Sequence, residues 1–129
     1  MEQLQVQVMD IRRMVLGAEH PDTLRSIENI ASTYWNQGRW DEAEQLQVQV
    51  MDIRKKVLGA DHPDILRTME NLANTYWNQK RWNETEQLEV QVMDMSKKVL
   101  GAEHPDTLTS MEIIASTYGK QGRYKRQNS

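Results

Sequence analysis

The sequence predicts an all-α fold, an α-solenoid of stacked antiparallel helix pairs with about six helices in 129 residues and no strands. Three observations carry that prediction. The chain repeats itself every 42 residues: 1–42 matched to 43–84 gives 31 identities, and 43–84 matched to 85–126 gives 25. Each period holds two apolar stripes at spacings of three and four, the helical pattern. Gly, Pro and His recur at fixed places between the stripes (Gly17, Gly59, Gly101; Pro21, Pro63, Pro105; His20, His62, His104). Leu, Ile, Val and Phe make up only about a fifth of the chain, near the range in which chains stay disordered. Order therefore rests on the regular placement of a small apolar set. A lone helix pair has one face it cannot bury, and stacking pairs joins those faces into one core.

The elements follow in order. A helix over about 2–16 places Leu4, Val8 and Ile11 on one stripe. The next, over about 22–37, opens behind Pro21, whose missing N–H costs nothing in a first turn, and Asp22 meets the positive end of the helix dipole. Its stripe is Leu24, Ile27, Ile30 or Ala31, and Tyr34, and Gly38 is placed to end it. The third, over about 41–58, carries Ala43, Leu46, Val50, Ile53 and Val57 up to Gly59. Within it, Leu46-Gln47-Val48-Gln49-Val50 alternates like a strand. The alternation is short, the helical stripe is three times as long, and the surrounding Glu, Gln, Lys and Leu favour helix. The same reading repeats over about 64–79, 83–100 and 106–121, giving repeat units 1–42, 43–84 and 85–126 in a single array.

Composition narrows the function. The formal net charge is −3, without the basic surplus that nucleic-acid binding needs. There is no cysteine, which removes disulfides, thiolate nucleophiles and Cys-ligated zinc. No apolar run is long enough to span a bilayer and no leader pattern opens the chain, so a soluble, cytoplasmic chain without membrane contact is expected.

The stretch Asn-Ile-Ala-Ser-Thr-Tyr-Trp-Asn-Gln-Gly-Arg-Trp-Asp-Glu-Ala-Glu (29–44) resembles a tetratricopeptide repeat, with Ala31, Tyr34, Gly38, Trp40 and Ala43 in the places of the family's small, aromatic, glycine, aromatic and alanine positions. The 42-residue period and the joining segment 55–64 are similar to the kinesin light chain class, and to the near-identical arrays of fungal receptors. The resemblance spans the whole chain and implies a right-handed superhelix whose first helices line a concave groove. Several positions depart from the pattern. Lys80 stands at the turn glycine and Thr85 at the alanine, while Gly119, Lys120 and Arg126 replace Trp, Asn and Glu in the third unit.

That resemblance implies a protein–protein interaction module, not an enzyme, holding a peptide or protein segment in the groove. Carried over unit by unit, the groove positions are Arg25, Glu28, Asn29, Ser32, Trp35 and Asn36, then Arg67, Glu70, Asn71, Asn74, Trp77 and Asn78, then Thr109, Glu112, Ile113, Ser116 and Lys120. These residue types fit peptide capture, since amides meet an extended backbone, Arg meets carboxylates, and Trp offers a flat apolar contact. Packing against a neighbouring unit is an equal reading for Trp35 and Trp77. No cofactor or metal is expected. His20, His62 and His104 sit one per unit, too far apart to share an ion, and read as turn and cap residues. A second reading concerns copies of the chain itself. The 2–16 helix exposes Leu4, Val8 and Ile11, and the 106–121 helix exposes Ile114, Ala115 and Tyr118, faces that interior copies already fit together, so end-to-end association is expected.

Overall fold

A computed structural model describes residues 2–59 and 61–127, with side chains described through residue 122. The described residues form six α-helices: α1 (Glu2–Leu16), α2 (Pro21–Asn36), α3 (Trp40–Leu58), α4 (Pro63–Asn78), α5 (Trp82–Val99) and α6 (Pro105–Gln127). They fall into two compact units, residues 1–60 and 61–129.

The interhelix turns explain why each first-type helix starts where it does. His20 has extended backbone, and its Nδ1 accepts the Asp22 amide at 3.1 Å. His62 does the same for Asp64, and His104 for Asp106, each at 3.1 Å. The imidazole thus fills the N-cap role usually held by Ser, Thr or Asp, ahead of a proline whose φ is preset for a helix. The three histidines are caps, as the sequence suggested.

In unit 1, α2 packs against both α1 and α3. Leu24, Ile27 and Val50 form its core, with Met9, Leu46 and Ile53 packed around them. Ala31 and Ala43 are buried beside this core, where small side chains let helices approach. Two polar contacts tie α1 to α2. Thr33 Oγ1 donates to Gln5 Oε1 at 2.9 Å, and Arg12 Nη1 donates to Ser26 Oγ at 2.8 Å.

In unit 2, α5 packs against both α4 and α6. Ile65, Leu66, Met69, Leu72 and Ala73 are buried on α4, Leu88 and Val92 on α5, and Ile114 on α6. Thr85 replaces the small residue at the position of Ala43 and is fully buried, and its hydroxyl donates to the Arg81 carbonyl at 2.7 Å. The extra oxygen is accommodated because it is satisfied within its own helix.

The turns α2–α3 and α4–α5 share one hydrogen-bond pattern. Arg39 N donates to Tyr34 O at 2.9 Å and Gly38 N to Trp35 O at 3.0 Å; Arg81 N donates to Tyr76 O and Lys80 N to Trp77 O, both at 3.0 Å. This is the Schellman arrangement, which needs a left-handed residue at its centre. Gly38 supplies it with φ 78°, and Lys80 adopts φ 60° in the second copy. In each turn the arginine stacks over the preceding tyrosine, 4.1 Å for Arg39 on Tyr34 and 4.5 Å for Arg81 on Tyr76.

One boundary departs from the sequence reading. α6 continues to Gln127 rather than ending near 121. Gly122 occupies the register of Gly38 but is not among the left-handed glycines. Lys125 and Arg126 stand where Asp41 and Glu42 open α3. Acidic residues favour a helix start and basic ones a helix end, so nothing here initiates a new helix and the existing one runs on.

Candidate functional site

The first-type helices α2, α4 and α6 each bury one stripe and turn the other outward. On α2, Arg25, Asn29, Ser32, Trp35 and Asn36 are exposed and Glu28 is half-buried. On α4, Arg67, Glu70, Asn71 and Asn74 are exposed, while Trp77 and Asn78 are half-buried. On α6, Thr109, Glu112, Ile113, Ser116 and Lys120 are exposed. Every position carried over from the family pattern thus lies off the core stripe. Trp77 is partly committed to packing: its ring meets Trp82 edge-on with centroids 5.2 Å apart. Glu28, Glu70 and Glu112 share a register but not an environment. Glu28 pairs with Arg54, Glu70 borders a cavity, and Glu112 is exposed.

That cavity lies in unit 2, where α4, α5 and α6 meet, and measures about 260 Å³. It lies just below the ~300–1,000 Å³ typical of small-molecule sites, a space that one side chain can fill. Three carboxylates border it, one from each helix: Glu70, Glu89 and Asp106. Ala73, Val92 and Ile113 supply apolar wall, and Asn74, Thr109 and Ser110 supply polar groups; among the described residues no Lys, Arg or His lines it. Desolvation pushes the Glu70 carboxyl above its ordinary value, and the Asp106 charge pushes it further. Burial likewise raises Glu89, against the pull of its hydrogen bond from Thr117. His104 lies 4.0 Å from the Asp106 carboxylate, but its Nδ1 already accepts the Asp106 amide and has no proton to offer there.

The sequence reading reached Glu70, Asn74, Thr109 and Ile113 of this lining and missed Glu89 and Asp106. A signal for Glu89 existed. Positions 5 and 47 are Gln, and position 89 breaks the series with a charge. Among the described residues no three His, Asp or Glu side chains are grouped closely enough to hold a metal ion. No helix among them is long and apolar enough to cross a membrane.

The end faces agree with the sequence reading in part. Leu4, Val8 and Ile11 on α1 are exposed, at 62%, 43% and 60%. On α6, Ala115 and Tyr118 are exposed, but Ile114 is buried at 6%. Ile114 was expected on the open face. It sits instead in the register of Ile30 and Leu72, which are also buried, so that stripe turns toward its own unit. The open face of α6 is made by Leu108, Met111, Ala115 and Tyr118.

Antiparallel helix pairs with outward-facing polar first helices define a helical-repeat scaffold. The chain belongs to the tetratricopeptide repeat family, whose sequence profile matches residues 2–22, 23–64 and 65–106. It superposes on the crystal structure of nearly identical TPR-like repeats from P. anserina, assigned there to kinesin light chains. The TM-score is 0.81 and the identity 33%, over 97% of this chain and 59% of that one; a point variant of the same repeats gives the same values. BtubC (BKLC) from P. vanneervenii shares the fold at TM-score 0.83 and 10% identity, over 96% of this chain and 50% of that one. The chain therefore spans half to three-fifths of the structures it resembles. No curated protein matches it.

Proposed function

We propose that this chain is a protein–protein interaction module that holds an extended peptide or protein segment against its first-type helices. The observation that supports this most is the chemistry of the outward stripe. Asn71 and Asn74 on α4 stand with Arg67 beside them, a set that suits recognition of a peptide backbone and its carboxylates. A short-peptide library presented to the wild type and to an Arg67→Ala, Asn71→Ala double variant tests it. Enrichment of a defined sequence by the wild type, lost in the variant, is the expected result. A wild type that enriches nothing overturns it.

A second reading, association with copies of itself, is favoured by a comparison of registers. Leu24, Ile27 and Ala31 of α2 are buried at 5%, 1% and 3%, and their equivalents in α4, Leu66, Met69 and Ala73, at 7%, 1% and 6%. In α6 the same positions, Leu108, Met111 and Ala115, are exposed. Val50 and Val92 are likewise buried while Val8 is open. The α1 face of one molecule thus has the residues that would cover α6 of another, a head-to-tail contact. Apolar burial there drives association and lost freedom opposes it. Mass measured across a concentration series should rise for the wild type and stay monomeric for Val8→Asp; equal monomeric masses for both discard this reading.

A further inference from the structure

We propose that the α4–α5–α6 cavity of unit 2 is a subsite for one cationic side chain, Arg or Lys, of a bound segment. The proposal rests on the peptide-holding reading and deepens it. Its first support is a difference between two registers of the same repeat. In unit 1, Arg54 of α3 pairs with Glu28 of α2. In unit 2, Glu70 is the equivalent of Glu28, but Ser96 stands where Arg54 stands. The internal cation is gone, and Glu70 has no ion pair among the described residues. One further change acts in the same sense: Gln47 becomes Glu89. Within unit 1, Glu28, Gln47 and Arg54 balance in formal charge, whereas Glu70, Glu89 and Ser96 in unit 2 come to −2.

The second support is a count of protons around Glu89, which is more than nine-tenths buried. Thr117 Oγ1 lies 2.7 and 2.8 Å from its two carboxylate oxygens, and 3.1 Å from the Ile113 carbonyl. A hydroxyl has one proton. At most one of these three acceptors receives it at a time, so at least one oxygen of a buried, charged group lacks a donor. Gln5, in the same register of unit 1, meets Thr33 as a neutral amide without that deficit. A buried carboxylate short of donors and charges costs stability, and a cation entering the cavity removes the deficit.

The geometry selects the kind of cation. The three carboxylates come from three helices and are not grouped as metal ligands. Val92, Ala73 and Ile113 line the same cavity, a surface for an aliphatic stem whose head is charged. A guanidinium or ammonium on a methylene chain fits that division, and guanidinium has donors enough for several carboxylates.

The test uses the full chain and n-butylguanidinium as probe, followed by backbone amide shifts in NMR, with uncharged n-butylurea beside it. We expect saturable shifts at Ala73, Asn74, Val92 and Ser110 with the guanidinium, in about the millimolar range for so small a ligand, and none with the urea. The Glu70→Gln, Glu89→Gln variant should bind about tenfold more weakly or worse. Gln is the residue at position 47, and an unchanged helical spectrum verifies its fold. Ser96→Arg, which restores the internal cation, should also suppress binding. No saturable shift, equal shifts with both probes, or unchanged binding in the double variant overturns the proposal. Arrayed peptides separate it from the reading it rests on. Peptides enriched without a fixed Arg or Lys, with no guanidinium binding, remove the subsite and leave the module. Guanidinium binding with no peptide enriched removes the module and leaves the pocket.

Discussion

Replacing Lys80 with glycine should stabilise the protein. Lys80 is the described non-glycine residue with positive φ, at 60°, and it holds the centre of the Schellman turn between α4 and α5. An L-residue in that region costs about 1–2 kcal/mol from the clash of its Cβ with the backbone. Glycine removes the clash but gives the unfolded chain more freedom, a loss of about 0.5–1 kcal/mol. The difference leaves a net gain of about 0.5–1 kcal/mol. The turn tolerates glycine without rearrangement, because the same two hydrogen bonds close the turn around Gly38 in unit 1. Urea unfolding followed by circular dichroism should show the midpoint of Lys80→Gly raised by about 0.3–0.5 M, for a slope typical of small proteins. Lys80→Ala, which removes the charge and keeps the Cβ, should leave the midpoint near wild type. Gly38→Lys should lower it by a similar amount. A Lys80→Gly midpoint at or below wild type, or an equal gain in Lys80→Ala, would refute the argument from backbone strain.

Other perturbations read different parts of the structure. Ala43 is fully buried, so Ala43→Leu should overpack its helix crossing and cost about 1–3 kcal/mol in urea unfolding; Ala73→Leu borders the unit 2 cavity and should cost clearly less. His20→Ala removes the side-chain acceptor for the Asp22 amide and should lose about 1 kcal/mol, while His20→Asp, which keeps an acceptor, should lose little. Glu89 is raised above its ordinary 4.5 in the folded protein, chiefly by desolvation, so the folded state holds its proton more tightly than the unfolded one. The stability it contributes is present below pH 4.5 and is lost as pH rises through the folded value. The wild type should therefore weaken relative to Glu89→Gln as pH rises above 4.5, as read by midpoints in paired urea series; parallel profiles would contradict it.

The helices were legible in the sequence because their apolar stripes are long and their boundaries carry chemistry. Pro21, Pro63 and Pro105 each open a helix, and Gly17, Gly38, Gly59 and Gly101 take the left-handed conformations that follow helix ends. The end of α6 lies beyond the expected one because Gly122 copies the position of Gly38 while the residues after it do not copy its context. A glycine permits a left-handed turn but does not compel one. Ile114 lies off the open face because a helix has two apolar contacts in such an array, and spacing alone does not say which neighbour each stripe meets. The outward stripe followed directly from the inward one. The cavity did not, since Glu70, Glu89 and Asp106 lie on three helices and only packing brings them to one place. What the sequence did contain was its trace, the breaks in register at 47/89 and 54/96.

The main helix–helix contacts, α1 with α2, α2 with α3, α4 with α5 and α5 with α6, all join neighbours along the chain. None of them must wait for distant segments to find one another, so little loop-closure entropy is spent before contacts form. Low contact order of this kind belongs to fast-folding chains. A helix leaving the ribosome meets its packing partner as soon as the next one emerges. Synthesis and folding can then proceed in the same direction, each new helix covering the apolar stripe of the one before it.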